Sequence, residues 1–178
     1  MTQLLPPLPW RLINGLLSSA LILLGAAASA QAHGAHYTGN GPATLSPALV
    51  ANGSAITVHR TENCGCCTAW EQHMSAAGFA VTDVVNNRME ALKSAHGITP
   101  ELESCHTGLV DGYVIEGHVP ATAVQRLLNE RPAIRGLTAP GMPMGSPGME
   151  GDGITPEPYA VLAIHNDGNT SVFERYTP

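Results

Sequence analysis

The chain has 178 residues, a formal net charge of −6 and an aromatic fraction of only 4%. That length fits one domain with flanking segments. An acidic chain without a basic cluster lacks the electrostatic footprint of a nucleic-acid binder. Four cysteines, Cys64, Cys66, Cys67 and Cys105, stand out in this composition.

At the N-terminus, Arg11 precedes the apolar run "LINGLLSSALILLGAAA", which ends in the small residues "ASAQA". A basic start, an apolar centre and an Ala-x-Ala end predict a secretory signal peptide over residues 1–32, cut after Ala30 or Ala32. The alternative is an uncleaved membrane anchor. Residues 33–54, rich in Gly, Ala, Ser and Asn, read as a flexible lead-in, and 55–178 as a single domain. Export would place the cysteines in an oxidising compartment, the periplasm. Thiols there must be held by a metal, tied in disulfides or kept reduced by a partner. No membrane contact is expected after signal removal.

"AITVHRT" (55–61) predicts a strand from its β-branched residues. "CTAWEQHMSAAG" places Trp70, Met74 and Ala77 on one helical face, with Gly78 as a stop. "FAVTDVVN" predicts a second strand. Asn87 followed by Glu90 reads as a capping signal for a short helix through "MEALKSAH" to Gly97. Thr99-Pro100 could begin a further helical turn. "GLVDGYVIEG" carries two apolar runs around Asp111-Gly112, a hairpin signal. Pro120 opens an amphipathic helix with Ala121, Val124, Leu127 and Leu128 on one face, which must end before Pro132. Residues 136–158, "GLTAPGMPMGSPGMEGDGITPEP", show no period and read as a long Gly/Pro/Met loop. "YAVLAIHNDGNTSVFERY" predicts a final hairpin turning near Asp167-Gly168, its first arm buried.

The order β-α-β-α-β-β-α resembles an α/β thioredoxin-like core in its short glutaredoxin form, with a long Gly/Pro/Met loop and an added C-terminal β-hairpin. In the alternative wiring the last hairpin belongs to the core and 107–131 is an insertion. Either way the first strand feeds "ENCGCC" (62–67), placing the thiols at a helix N-terminus. Unpaired N–H groups and the helix dipole stabilise a thiolate there.

Three thiols in four positions exceed what a Cys64/Cys67 redox pair requires. Cys105, just before the third strand, would lie against this helix start, with His106 beside it. Thr107 stands where thioredoxins and glutaredoxins carry a cis-proline. Two structural disulfides are the simplest alternative, but adjacent Cys66 and Cys67 would form a strained ring. Met142, Met144 and Met149 lie in the loop rather than on an amphipathic face, and thioethers favour Cu(I) over harder ions. The alternative for them is loop filler over the core. His118 either faces the same end of the sheet or caps the following helix. His59 and His165 fall on predicted strands and read as structural.

"CGCC", "SCHT", "YVIEGHVP" and "PGMPMGSPGME", in this order, closely resemble the CopG-like periplasmic copper-resistance proteins of Gram-negative bacteria over about residues 56–176. The resemblance implies a thioredoxin-like fold that binds copper and handles its redox state in copper tolerance. It implies Cys64, Cys66, Cys67 and Cys105 as metal ligands, with Met142 and Met149 from the loop; His106 and His118 are further candidates. The cargo would be copper, as Cu(I) or Cu(II), in a thiolate site able to bridge more than one Cu(I). The partners would be a copper efflux system or a periplasmic electron donor, and the activity, if any, copper oxidoreduction. The competing reading is a thiol-disulfide oxidoreductase in which Cys64 attacks and Cys67 resolves. An iron–sulfur carrier is a third. Cys66, the missing cis-proline and the Met loop favour copper.

Overall fold

The structure, a computed structural model, describes residues 53–178. The expected signal peptide and nearly all of the lead-in lie outside these residues. Among the described residues no helix is long and apolar enough to cross a membrane.

The elements run β1 (Ala55–Arg60), α1 (Gly65–Ala76), β2 (Ala80–Val85), α2 (Met89–Ala95), a 3-10 turn at Pro100–Leu102, β3 (His106–Val110), β4 (Tyr113–Gly117), α3 (Ala121–Glu130), β5 (Gly136–Ala139), β6 (Tyr159–Ile164) and β7 (Thr170–Tyr176). The expected β-α-β-α-β-β-α order holds over residues 55–130. All seven strands form one sheet in the order β2-β1-β3-β4-β5-β6-β7. β1 pairs with β2, and β4 with β5, in parallel; the other pairs are antiparallel. The hairpin next to β1 is therefore β3–β4. The hairpin of 159–176 extends the far edge, which rules out the alternative wiring.

Local chemistry explains most boundaries. The two-residue β3–β4 turn has positive φ at Asp111 and Gly112. Both central residues of a type I′ turn need this, and Asp-Gly supplies it at low cost. Gly78 and Gly97, also at positive φ, follow α1 and α2. Arg131, left-handed, closes α3 before Pro132.

Alternation along the strands divides the core between the two faces of the sheet. On one face Ile56, Val58, Ile115, Leu137 and Val161 pack with Trp70 and Met74 of α1 and with Val124, Leu127 and Leu128 of α3. On the other, Val114 and Ile164 meet Ile98 and Leu102. Full burial of each large apolar side chain contributes about 1.5–3 kcal/mol. Trp70 also donates its indole N–H to the Val119 carbonyl at 2.8 Å. The α3 N-terminus is capped from outside its own sequence: the Ala121 N–H donates to His73 Nε2 at 3.0 Å.

Two expectations fail. The Asn87/Glu90 capping box does not form; Arg88 is the N-cap of α2, without a side-chain cap bond, and Asn86 Oδ1 instead accepts the Arg88 N–H at 2.8 Å. Residues 136–158 are not all loop, because Gly136–Ala139 forms the fully buried strand β5. "GLTA" has weak β propensity and no visible alternation. Its glycine is required by packing: a Cβ at Gly136 would lie 1.8 Å from the Val114 carbonyl oxygen. Gly136→Ala should therefore lower the unfolding free energy by about 1–3 kcal/mol, measured by urea denaturation; an unchanged midpoint would contradict the strand assignment.

Candidate metal centre

Strand direction brings the chemistry to one end of the sheet. β1 ends where α1 begins, and β3 runs antiparallel to it with Arg60 opposite His106. Cys105, just before β3, thus lies at the end of β1 and the start of α1. β4 returns antiparallel, Thr107 opposite Glu116, and delivers His118 to the same end. β5 runs parallel to β4, Gly117 opposite Ala139, so the Met-bearing loop departs from there too. Arg60 secures the approach to the cysteines by donating to the Thr61 and Glu62 carbonyls at 3.1 and 3.0 Å.

Cys64 is the N-cap residue of α1, and Cys66 and Cys67 lie in its first turn. Cys64 and Cys67 are joined in a disulfide, while Cys66 and Cys105 are free. Cys66 Sγ lies 3.5 Å from Cys64 Sγ and 3.6 Å from Cys105 Sγ. All four sulfurs fall within 4.8 Å of one another, and so do the ligand atoms of Cys105, His106 and His118. Six of the eight expected site residues therefore meet in one cluster. With Cys64 and Cys67 paired, the helix-start thiolate expected for them is not available in this state.

His118 faces the cluster and does not cap α3. Its Nδ1 lies 2.8 Å from the Pro147 carbonyl, which can only accept, so Nδ1 carries the proton. Nε2 is then left with its lone pair 2.9 Å from Cys105 Sγ. A ring proton anchored on a carbonyl, with the opposite nitrogen aimed at a soft donor cluster, is the orientation a ligating imidazole needs. His106 is fully buried between Trp70 and His118, at centroid distances of 4.4 and 5.0 Å. Neither ring nitrogen makes a well-aligned hydrogen bond, although the Gly117 backbone lies near the ring. A buried imidazole so weakly paired keeps its nitrogens available to another partner. Thiol sulfur and imidazole nitrogen together suit Cu and Zn and exclude Mg and Ca.

The loop that carries Met142, Met144 and Met149 is tied beside the cluster. The Gly141 N–H donates to the Glu103 carbonyl at 2.9 Å, and Ser104 Oγ donates to the Gly141 carbonyl, so Met142 follows a point tied to the Cys105 segment. Met142 is 53% exposed. Gly148 precedes Met149 and lies across the first turns of α1. There a Cβ would come within 2.7 Å of the Cys66 carbonyl oxygen and 2.8 Å of the Trp70 nitrogen. Its φ of +85° is also one that only glycine adopts freely. The loop is thus pinned at Gly141, at Pro147 by His118 and at Gly148.

Beneath the Cys105 segment lies a polar group that sequence reading missed. Lys93 of α2 and Glu116 of β4 form a buried ion pair. Lys93 Nζ also donates to the Ser104 carbonyl at 3.0 Å and to Thr107 Oγ1 at 3.3 Å. Glu116 accepts the Ser104 N–H at 2.8 Å and the Thr107 hydroxyl at 2.7 Å. The available signal was Glu116 itself, a carboxylate amid the apolar residues of "YVIEG".

Desolvation is the main electrostatic influence here. Burial pushes the Cys105 thiol up to about 11, with Cys66 adding to the shift and Ser104 opposing it. Burial holds His106 well below the ordinary imidazole range, helped by His118 and Lys93. It lowers His59, His73 and His118 too. Burial raises Glu116, against the pull of Lys93, and raises Glu71, where Asp83 adds to it and Arg60 opposes.

Residues 102–149 match a family described as a protein of unknown function, DUF411. Among curated protein sequences none matches. Two solved structures are similar along most of the chain, described as copper resistance protein CopG, Form 1 and Form 2. They are 45% and 46% identical and cover 71% and 70% of this chain. Each superposes with a TM-score of 0.67, and the match takes in 99% of the solved chain. The chain belongs to the CopG copper-resistance family. Family membership points to a copper-related function, and the thiol and imidazole donors suit that metal on their own chemistry.

The lowered imidazoles set an acid limit on the metal-free protein. The unfolded chain takes up protons on these histidines near 6.5, whereas the folded chain resists until lower pH. Their stability contribution is therefore complete above that value and lost as pH falls through it. Glu71 and Glu116 work in the opposite direction but are fewer. Urea midpoints of metal-free protein should fall from about pH 7.5 to about pH 5, with His106 alone contributing up to about 1.4 kcal/mol per pH unit. A flat profile would mean that the histidines titrate freely in the fold.

Proposed function

We propose that the protein is an exported, periplasmic copper-binding protein that serves copper tolerance by holding Cu(I) in the cysteine cluster. In this reading residues 1–32 are removed as a signal peptide and 55–178 act as one copper-binding domain. Its frame is thioredoxin-like, a reading supported by the sheet order β2-β1-β3-β4 and by α1 starting at the cysteines. The observation that carries the reading is the pair of free thiols, Cys66 and Cys105, 3.6 Å apart with the His118 lone pair on Cys105. A disulfide exchanger has no use for this pair; a soft cation does.

When the Cys64–Cys67 disulfide is reduced, all four sulfurs become donors, enough to bridge more than one Cu(I). Met142 and Met149 then close the site from the loop, and His106 and His118 complete it from the sheet. The same disulfide offers copper a redox partner. Two thiols can give one electron to each of two Cu(II), yielding a disulfide, two Cu(I) and two protons. Cu(I)/Cu(II) interconversion followed by hand-over to an efflux system fits this balance, with a periplasmic electron donor restoring the dithiol.

Anaerobic titration of the reduced protein with Cu(I), against a competing chelator, should show at least one ion held per chain. X-ray absorption should show sulfur-dominated coordination. Failure to retain any Cu(I) would overturn the reading.

The Cys64–Cys67 disulfide favours a second reading, thiol-disulfide exchange with other proteins. Cys66→Ser separates the two. Under the copper reading it lowers Cu(I) stoichiometry or affinity. Unchanged copper binding together with strong insulin-reducing activity would favour the oxidoreductase.

A further inference from the structure

The buried Lys93–Glu116 pair does not explain itself as a source of stability. Removing two charges from water costs about as much as their attraction returns, and well-packed apolar residues at such a site are often as good or better. Its bonding pattern points elsewhere. Lys93 Nζ has three protons and three acceptors: Glu116, the Ser104 carbonyl and the Thr107 hydroxyl. Glu116 accepts from Lys93, from the Ser104 N–H and from the Thr107 hydroxyl. Apart from their mutual bond, every one of these contacts falls on Ser104 or Thr107. Those residues stand immediately before and two after Cys105. Both backbone polar groups of Ser104 are engaged, and its hydroxyl carries the restraint on to Gly141 and the Met-bearing loop.

We propose that Lys93 and Glu116 are positioning residues for Cys105. They clamp the chain on both sides of it, so that its sulfur is held at once toward Cys66 Sγ and His118 Nε2. The need is specific to this segment. Cys105 lies in a bend between a 3-10 turn and β3, with no regular backbone ladder of its own. No cis peptide bond stiffens it or any other described residue. A pair of charges brought from α2 and β4 supplies directional bonds from two elements whose positions the core already fixes. Apolar packing would be equally stable but would let the segment slide. The clamp rests on the copper-site reading only for its purpose; its effect on Cys105 is independent of metal.

The test uses a double variant, Lys93→Met with Glu116→Leu, which removes both charges and leaves neither orphaned. It is expected to fold with a circular dichroism spectrum close to that of the parent protein and a lower urea midpoint, because the Ser104 and Thr107 polar groups lose their partners. In the metal-free, disulfide-containing protein, iodoacetamide labelling read by mass spectrometry should then quicken at Cys105 relative to Cys66 by roughly tenfold. A general loosening of the fold would move both thiols together. Cu(I) affinity of the reduced double variant should fall by about 10- to 100-fold, the usual effect of removing outer partners of a metal ligand. If the double variant fails to fold, Thr107→Val removes one hydroxyl with little change of volume and should shift the same labelling ratio in the same direction. An unchanged Cys105-to-Cys66 ratio in a folded variant overturns the proposal, whatever the copper measurement shows. If the parent protein itself holds no Cu(I), the copper reading fails while the labelling ratio still decides the clamp.

Discussion

The pairing of β3 with both its neighbours is the constraint on which the site depends. Because β3 is antiparallel to β1 and to β4, its first residues lie beside the last residues of both. That arrangement alone places Cys105 against the start of α1 and next to His118. Cys105 is 39 positions from Cys66 and 13 from His118 in sequence. A one-residue slip would turn every β3 side chain to the opposite face. His106 and Gly108 would leave the Trp70 side, and the thiol before them would follow. Alternating burial along β1 and the burial of β4 on both faces resist such a slip, so the hydrophobic core and the donor geometry are fixed by the same register.

Around that register, burial disfavours charge on Cys105, His106 and His118. It raises the Cys105 thiol and lowers both histidines, which favours their neutral forms. A cation that binds thiolates must displace the Cys105 proton, and the binding energy must offset the cost of doing so. The charged residues nearby, Lys93 and Glu116, are satisfied by each other and by the backbone, and they add no net charge. The cluster offers soft donors and no carboxylate, so it presents geometry and softness rather than an attractive field.

Much of this was readable in the sequence because it is local. Trp70 and Met74 repeat at helical spacing, Asp111-Gly112 is a turn dictated by φ, and the amphipathic face of 121–128 specifies α3. The failures share one cause, the dominance of tertiary contacts over weak local signals. "GLTA" becomes a strand only because Val114 presents its carbonyl to Gly136. Asn87 loses the capping role to the neighbouring Asn86, whose side-chain oxygen accepts the Arg88 N–H. His73, unremarkable in its own helix, caps a different one. The Lys93–Glu116 pair joins α2 to β4 and could not be paired from a chain with several acidic and basic candidates.

By itself the sequence determined the inventory: three thiols within four residues at a helix start, a fourth before a strand, histidines beside it and a methionine-bearing loop. Spacing along a helix or across a two-residue turn is set by short-range geometry, which residue identity controls directly. The tertiary structure decided which donors are free and where they point. It joined Cys64 to Cys67, left Cys66 with Cys105, and aimed the His118 Nδ1 proton at the Pro147 carbonyl. Those outcomes depend on strand direction, burial and contacts between residues far apart in the chain, and none of these has a local signature.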